Sequence, residues 1–379
     1  MKIEQCRRTK DQGWTPAPSG QLHDAAQLVL LFGNRDLIAD PAIIQEAQQA
    51  YPKAYVAGCS TAGEICGTLV SDDALVMTAL YFEKSLMQTA SVQISHMEES
   101  AQIGERLVQG LPKQELAHVF VLSEGLNING SELVTGIVRH LPPHVAVTGG
   151  LSGDGDRFKE TFVIADGRPL KNTVVALGIY GSGIKVGYSS LGGWDPFGPD
   201  RLVTRSKNNI LYELDGESAL KLYKQYLGEY ADKLPASGLL FPLSLRREDG
   251  ADWIVRTILA VNEQEQSMTF AGDIPEGSSV RLMKASLEGL VDGAIGAAQG
   301  CRKACPDNEP DFAILISCVG RKMVLKQRVE EEVEGVQEVL GSRTILTGFY
   351  SYGEICPFVR GAKSELHNQT MTITTFSER

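Results

Sequence analysis

The residues best placed for chemistry stand in a loop that the chain repeats. The segment VAGCSTAGEIC (56–66) aligns without gaps with LTGFYSYGEIC (346–356), so Glu64 and Glu354 occupy equivalent positions. Each loop follows an apolar run predicted to be a buried strand, and binding groups in α/β folds concentrate where strands end. A carboxylate there can accept hydrogen bonds from an amine or guanidinium group of a ligand. The alternative is that Gly-Glu completes a tight turn and caps the following element.

Two tyrosines belong to the second copy of this loop. Tyr350 and Tyr352 occupy alternate positions of an extended stretch, so we expect their side chains on the same side. Two aromatic hydroxyls beside the carboxylate of Glu354 would form one wall of a polar pocket. Core packing of one of the tyrosines is the alternative.

Arginine supplies a second kind of candidate. Arg321 follows the predicted strand 314–318, where a guanidinium could hold a ligand carboxylate through two hydrogen bonds. Arg256 lies inside the predicted strand WIVRTIL, where it must face solvent or be paired, so Arg321 is preferred as the ligand-facing residue. The alternative for both is an internal ion pair with one of the repeated glutamates, Glu64 or Glu354.

Motifs for catalysis are missing from the sequence. It contains no Ser-His-Asp spacing, HExxH zinc site, EF-hand or nucleophile elbow. The loop Cys59-Ser60-Thr61 offers a thiol and two hydroxyls, but a nucleophile needs a base that no pattern supplies. GGLSGDG (149–155) lacks the Lys-Ser/Thr of a phosphate-binding loop and is predicted to be a structural turn. We expect no enzyme and no metal site, with a hydrolase using the 59–61 loop as the minor alternative.

Composition narrows the class of protein. The 379 residues carry a formal net charge of −11 with scattered Lys and Arg, which argues against a nucleic-acid partner. The first 20 residues contain no apolar stretch, so neither a signal peptide nor a membrane insertion is predicted. Seven cysteines without a CxxC pair fit a reducing compartment. We expect a cytoplasmic protein.

Apolar periodicity predicts an α/β fold. Two related α/β halves, with mixed sheets flanked by helices, follow from the internal duplication, and VTGGLSGDG (147–155) is a weaker third copy of the loop. The predicted organisation is an N-terminal extension (1–24), a first domain (25–200) and a second domain (201–379), with the junction at the Gly- and Pro-rich stretch 192–199. The glutamates at 330–334 are predicted to form a solvated helix face.

Several of these segments together resemble the FIST proteins, a family of signal-transduction modules. They are GCSTAGE, GGLSGDG, GGWDPFGP, LPASGLLFPL, ILISCVGR, GFYSYGE and ELHNQTM. The resemblance makes the first domain FIST N-like and the second FIST C-like. It implies a sensory protein for a small ligand such as an amino acid, signalling to a separate histidine kinase or chemoreceptor-type partner of a bacterial two-component system.

The resemblance also implies one alternative. Stand-alone members resemble a haem-binding nitric oxide sensor that regulates a histidine kinase. His367, within ELHNQT, would then be the axial ligand of the haem. Asn368 beside it completes the set of candidate ligand-binding residues, which is Glu354, Tyr350, Tyr352, Arg321, Glu64, His367 and Asn368.

Overall fold

The chain builds one structural unit three times. The structure, a computed structural model, describes residues 1–246, 253–303, 309–358 and 361–378. The first unit consists of β1 (Lys2–Thr9), β2 (Leu28–Gly33), α1 (Arg35–Ile38), α2 (Pro41–Ala50), β3 (Tyr55–Ser60), β4 (Glu64–Cys66), β5 (Leu69–Ser71) and β6 (Ala74–Tyr81). The second consists of β7 (Leu86–Gln93), α3 (Ser100–Gln109), β8 (Leu116–Ser123), α4 (Gly130–Arg139), β9 (Ala146–Leu151), β10 (Val163–Ala165), β11 (Arg168–Leu170) and β12 (Thr173–Tyr180).

A subdomain interrupts the third unit after its first strand, β13 (Ile184–Leu191). The subdomain contains β14 (Asp195–Lys207), β15 (Ile210–Leu214), β16 (Glu217–Ser218), α5 (Ala219–Leu227), β17 (Leu243–Arg246), β18 (Trp253–Arg256), β19 (Ile258–Asn262), β20 (Ser267–Phe270) and β21 (Ser279–Lys284). The third unit then continues with α6 (Leu287–Arg302), β22 (Phe312–Cys318), α7 (Val319–Leu325), α8 (Val329–Leu340), β23 (Ile345–Ser351), β24 (Gly353–Pro357), β25 (Ser364–His367) and β26 (Met371–Glu378).

Three six-stranded sheets share one strand order. They run β1-β6-β2-β3-β10-β11, β7-β12-β8-β9-β24-β25 and β13-β26-β22-β23-β4-β5. In each sheet the two middle strands of one unit are parallel and the unit's last strand is antiparallel to them. The short hairpin at the edge always comes from another unit. The units are therefore interlocked in a ring, because each completes the sheet of a neighbour.

The repeated glycines are explained by this arrangement. Gly58, Gly149 and Gly348 lie at the same position of β3, β9 and β23. A Cβ atom added at any of them would stand 1.9 Å from a main-chain oxygen of the facing parallel strand. A side chain cannot be accommodated at that distance, so the glycines recur for packing.

The three sheets meet in a shared apolar core. Phe32, Phe120 and Phe349, one from each sheet, belong to a single buried cluster. Helices α3 and α4 pack together on one flank, and α6 and α8 on another. The α/β class, the mixed sheets flanked by helices and the internal duplication are confirmed.

Residues 195–284, the inserted subdomain, have a core of their own. Their buried cluster runs from Val203 to Leu282 and belongs to a separate eight-stranded sheet. Gly193 connects this subdomain to the third unit with φ +78° and packs against the oxygen of Gly289, where an added Cβ would be only 1.7 Å away. The stretch 192–199 leads into this subdomain, and its residues from 195 onward belong to β14, as does residue 200. The domain bounds predicted from the sequence stay a prediction.

The N-terminal segment belongs to the first sheet, and helix α8 buries one of its glutamates. The predicted N-terminal extension contributes β1, which pairs with β6 at the edge of the first sheet. The prediction of a solvated glutamate face on α8 is wrong for Glu332, which is fully buried. Within the described ranges, no helix combines the length and the apolar character needed to cross a membrane.

Candidate functional site

The loops at the carboxyl ends of the three parallel pairs are hydrogen-bonded to one another in a closed ring. A main-chain N–H of each loop donates to a carbonyl of the next unit, with N–O distances of 2.8, 2.9 and 3.3 Å. The donor and acceptor pairs are Ala62 to Tyr350, Gly153 to Ser60 and Tyr352 to Leu151. The ring joins the loops that carry Glu64, Glu354, Tyr350 and Tyr352, whereas Arg321, His367 and Asn368 lie outside it.

Glu64 and Glu354 are buried and bonded in the same way. Each accepts a hydrogen bond from the hydroxyl group three residues earlier, at 2.6 Å for Glu64 and 2.7 Å for Glu354. Each also accepts a hydrogen bond of 3.1 Å from a main-chain N–H at the start of its unit's last strand, β6 or β26. The donors are Thr61 and Ala74 for Glu64, and Ser351 and Thr370 for Glu354. Burial raises the pKa of both carboxyls to about 8, although these donors lower it. Both side chains brace the loop that carries them.

Arg321 forms an internal ion pair. Its guanidinium is fully enclosed and contacts Glu332 at 2.7 Å through Nη2 and 3.2 Å through Nε. Further N–H groups donate to the carbonyl oxygens of Leu290 and Gly192. Tyr350 donates its hydroxyl to the same Glu332 carboxylate at 2.7 Å. Arg321 and Tyr350 therefore connect α7, α8 and β23 through Glu332. The ion pair is internal, as in the alternative, but its partner is Glu332 and not one of the repeated glutamates.

Tyr352 is bonded to a different unit from Tyr350. Its hydroxyl donates to the carboxylate of Asp154 and accepts from the N–H of Asp154 at 3.1 Å. Its ring stacks on Phe158 with 4.4 Å between centroids. The two tyrosine hydroxyls thus bind separate carboxylates and do not form one pocket wall.

Asn368 and Gln369, which we call the amide turn, differ from all of these residues. They connect β25 to β26 and are 1 % and 0 % exposed. Both polar atoms of each carboxamide lack a hydrogen-bond partner among the described residues. The backbone of Gln369 has φ +63°, a conformation that is uncommon for a residue other than glycine or asparagine. Buried polar groups in folded proteins are almost always paired, so this turn is an exception that needs a cause.

The equivalent turns of the other units are at the surface. Asp72 and Asp73 follow β5 and are exposed, and Lys171 follows β11 and is exposed as well. The strand that leads into the amide turn, β25, packs against β18 of the inserted subdomain.

Three groups around the amide turn define its surroundings. Trp194 donates its indole N–H to the main-chain oxygen of Gln369 at 2.7 Å. A Cβ atom added to Gly320 would lie 2.5 Å from the side-chain nitrogen of Gln369, so that carboxamide rests on the bare backbone at the start of α7. Arg256, in the subdomain, donates to the carbonyl of Leu366 at 3.1 Å. Gln369 is thus enclosed by Trp194, at the entry to the subdomain, and by the start of α7, while the subdomain contacts the preceding strand β25 through Arg256.

Comparison with known proteins places this arrangement in a family. The FIST N domain matches residues 27–217 and the FIST C domain matches residues 219–357. The chain belongs to the FIST family. FIST domains are sensory, small-ligand-binding domains of signal transduction.

Two individual proteins are similar to this FIST chain. Uncharacterized protein MJ1623 of Methanocaldococcus jannaschii is 26% identical over 314 residues, which cover 76% of this chain and 58% of that protein. The chain therefore spans just over half the length of this relative. A cyanuric acid hydrolase from A. caulinodans superposes with a TM-score of 0.38 at 8% identity, covering 100% of this chain and 98% of the hydrolase. A superposition this loose carries no conclusion about fold or function.

His367 was the candidate for haem binding in this FIST protein. Its ring is 2 % exposed, and Nε2 lies 2.9 Å from the carbonyl oxygen of Cys356. An axial ligand needs a ring nitrogen free to face the iron on an open side. In this conformation His367 does not fit that role, because its ring is enclosed and Nε2 is hydrogen-bonded.

The loop of the hydrolase alternative is enclosed too. Cys59 lies in the shared apolar core, and burial holds the pKa of its thiol well above the usual range. The hydroxyl oxygen of Ser60 accepts from the N–H of Phe162 at 2.9 Å, and the hydroxyl of Thr61 donates to Glu64. All three side chains are buried, and both hydroxyl groups are held by hydrogen bonds within the protein.

The sequence singled out one half of the amide turn. Asn368 was among its candidates, whereas Gln369, Trp194 and Gly320 were not. All three lie in the FIST-like segments ELHNQTM, GGWDPFGP and ILISCVGR, so the available signal was the co-occurrence of these segments.

Proposed function

We propose that this FIST protein binds a small polar ligand at the amide turn, without catalysis, and signals to a separate histidine kinase or chemoreceptor-type partner. The observation that carries the proposal is that all four side-chain polar atoms of Asn368 and Gln369 are buried and have no partner within the part of the chain that the structure describes. A metabolite with donors and acceptors, such as an amino acid, would supply their hydrogen bonds.

The energetics favour a binding role over a structural one. Leaving a buried donor or acceptor unsatisfied costs about 1–3 kcal/mol. The neighbouring polar groups have partners, since Glu354 accepts hydrogen bonds from both the main-chain N–H and the hydroxyl of Thr370. Two buried carboxamides without hydrogen bonds lower the stability of the fold, and such a loss is typical of residues that are kept for function.

The inserted subdomain gives a route for the signal. Gly193 connects it to the third unit, and Arg256 donates a hydrogen bond to Leu366 of that unit. It contacts the second unit through a 3.3 Å hydrogen bond from Asn129 to Asp273. A ligand that enters between the subdomain and the amide turn would contact both. It would shift the subdomain towards the arrangement, relative to the third unit, that binds the ligand more tightly. The partner would read the altered subdomain surface.

The test is a thermal-shift screen of the purified protein against amino acids and related metabolites. Binding to the folded state alone raises stability by about 2.7 kcal/mol at a ligand concentration of 100 Kd. We expect stabilising compounds to act on the wild type but not on the N368L/Q369M variant. The matched control is K171L/N172M, at the equivalent turn of the second unit, which should respond like the wild type. Equal stabilisation of N368L/Q369M would overturn the proposal.

A further inference from the structure

We infer that the ligand presents an amide-like edge to the amide turn, that is, an N–H and a C=O side by side, as in a lactam, imide, ureide, nucleobase or carboxamide. This inference rests on the proposed function and concerns the chemical class of the ligand. It departs from a site built to hold a carboxylate or an ammonium group.

The first reason is that the unpartnered atoms come in donor–acceptor pairs. Among residues 1–246, 253–303, 309–358 and 361–378, neither Nδ2 and Oδ1 of Asn368 nor Nε2 and Oε1 of Gln369 have a hydrogen-bond partner. A carboxylate only accepts and an ammonium only donates, so either would leave one atom of each carboxamide unsatisfied. An amide edge satisfies both atoms through two parallel hydrogen bonds, the geometry in which Asn and Gln bind adenine.

The second reason is that the charged groups near the turn already have partners. The Arg321 guanidinium is paired with Glu332, and Glu354 accepts three hydrogen bonds from Ser351 and Thr370. Arg256 donates to the carbonyl oxygens of Leu366 and Asp273. Bringing a further charge into this enclosed space costs desolvation that a neutral ligand avoids.

The third reason is the shape of the surroundings. Gln369 rests on Gly320, and Trp194 packs on Gly192, where an added Cβ would lie 2.8 Å from the indole ring. These contacts are close, and a thin planar group would displace less of this packing than a tetrahedral group would. Amide edges are planar, so the shape and the hydrogen-bonding pattern agree.

The experiment compares nearly isosteric probes that differ in this edge. L-glutamine is matched with L-glutamate and succinimide with succinate, and uracil and hydantoin are added as cyclic amide probes. Binding is followed by thermal shift in the wild type and by the fluorescence of Trp194 in a W14F/W253F variant, which keeps it as the only one of the three tryptophans. We expect at least one amide probe to bind at least about tenfold more tightly than its acid counterpart, and N368D/Q369E to lose that preference.

The outcomes separate the two proposals. If acids or amines without an amide edge bind best and N368L/Q369M abolishes their binding, the ligand class is wrong and the proposed function stands. If no amide probe binds but another compound does so through the amide turn, the ligand class is likewise wrong. If no compound distinguishes the wild type from N368L/Q369M, both proposals fail.

Discussion

Replacing the carboxamides of the amide turn by apolar side chains of similar size should stabilise the ligand-free protein. In N368L and Q369M the orphaned donor and acceptor disappear, while the volume of the side chain is nearly kept. Each unsatisfied buried group costs about 1–3 kcal/mol, and its removal leaves no partner unpaired. We expect each variant to be more stable than the wild type by about 1–3 kcal/mol.

The assay is urea unfolding, with the free energy of unfolding taken from the midpoint at an unchanged slope. Asn129 provides the control, because its side chain is satisfied: Oδ1 accepts from the N–H of Glu132 at 3.1 Å at the start of α4, and Nδ2 contacts Asp273. Loss of such a cap costs about 0.5–2 kcal/mol, so N129L should be destabilised. The same substitution is thus expected to have opposite signs at the two sites. A loss of stability in N368L equal to that in N129L would refute the reasoning.

Three further predictions test the framework around the turn. The free energy of unfolding of G348A should fall by about 3 kcal/mol, or the variant should fail to fold, because its Cβ would lie 1.9 Å from a carbonyl oxygen. The control G13A, whose Cβ would point into open space, should unfold like the wild type in the same urea assay. R321M should lose about 3–5 kcal/mol by leaving the Glu332 carboxylate buried without its counter-charge, and a loss below 1 kcal/mol would contradict the ion pair. Burial raises the pKa of Glu354 from 4.5 to about 8. Between these values the unfolded state loses the proton more readily than the folded state, so the free energy of unfolding falls as pH rises. The unfolding midpoint of E354Q relative to wild type should therefore rise from pH 5 to pH 8, and a constant difference would count against it.

Local patterns in the sequence were sufficient for the larger helices, the parallel strands and the class of fold, but not for β1, β14 or the short edge hairpins. Helices α6 and α8 and the parallel strands follow from apolar periodicity, and the recurring glycines marked the loops that form the central ring. The third copy of the loop, weak in sequence, is as regular in structure as the others, because the hydrogen-bond ring depends on main-chain groups.

The environment of single side chains could not be predicted in the same way. Glu332 lies in a run of glutamates that suggests solvent, but Arg321 and Tyr350 enclose it from other elements. Gln369 is buried between Trp194, which lies 175 residues earlier in the chain, and Gly320 at the start of α7. Such long-range packing has no signature in a local sequence pattern.

The most direct test of the central claim is a crystal structure of the protein grown with the compound that stabilises it most in the thermal-shift screen. The account predicts density for that compound between the inserted subdomain and the third unit, within hydrogen-bond distance of the carboxamides of Asn368 and Gln369. Density for the compound at another place, with both carboxamides hydrogen-bonded to the protein itself, would contradict it.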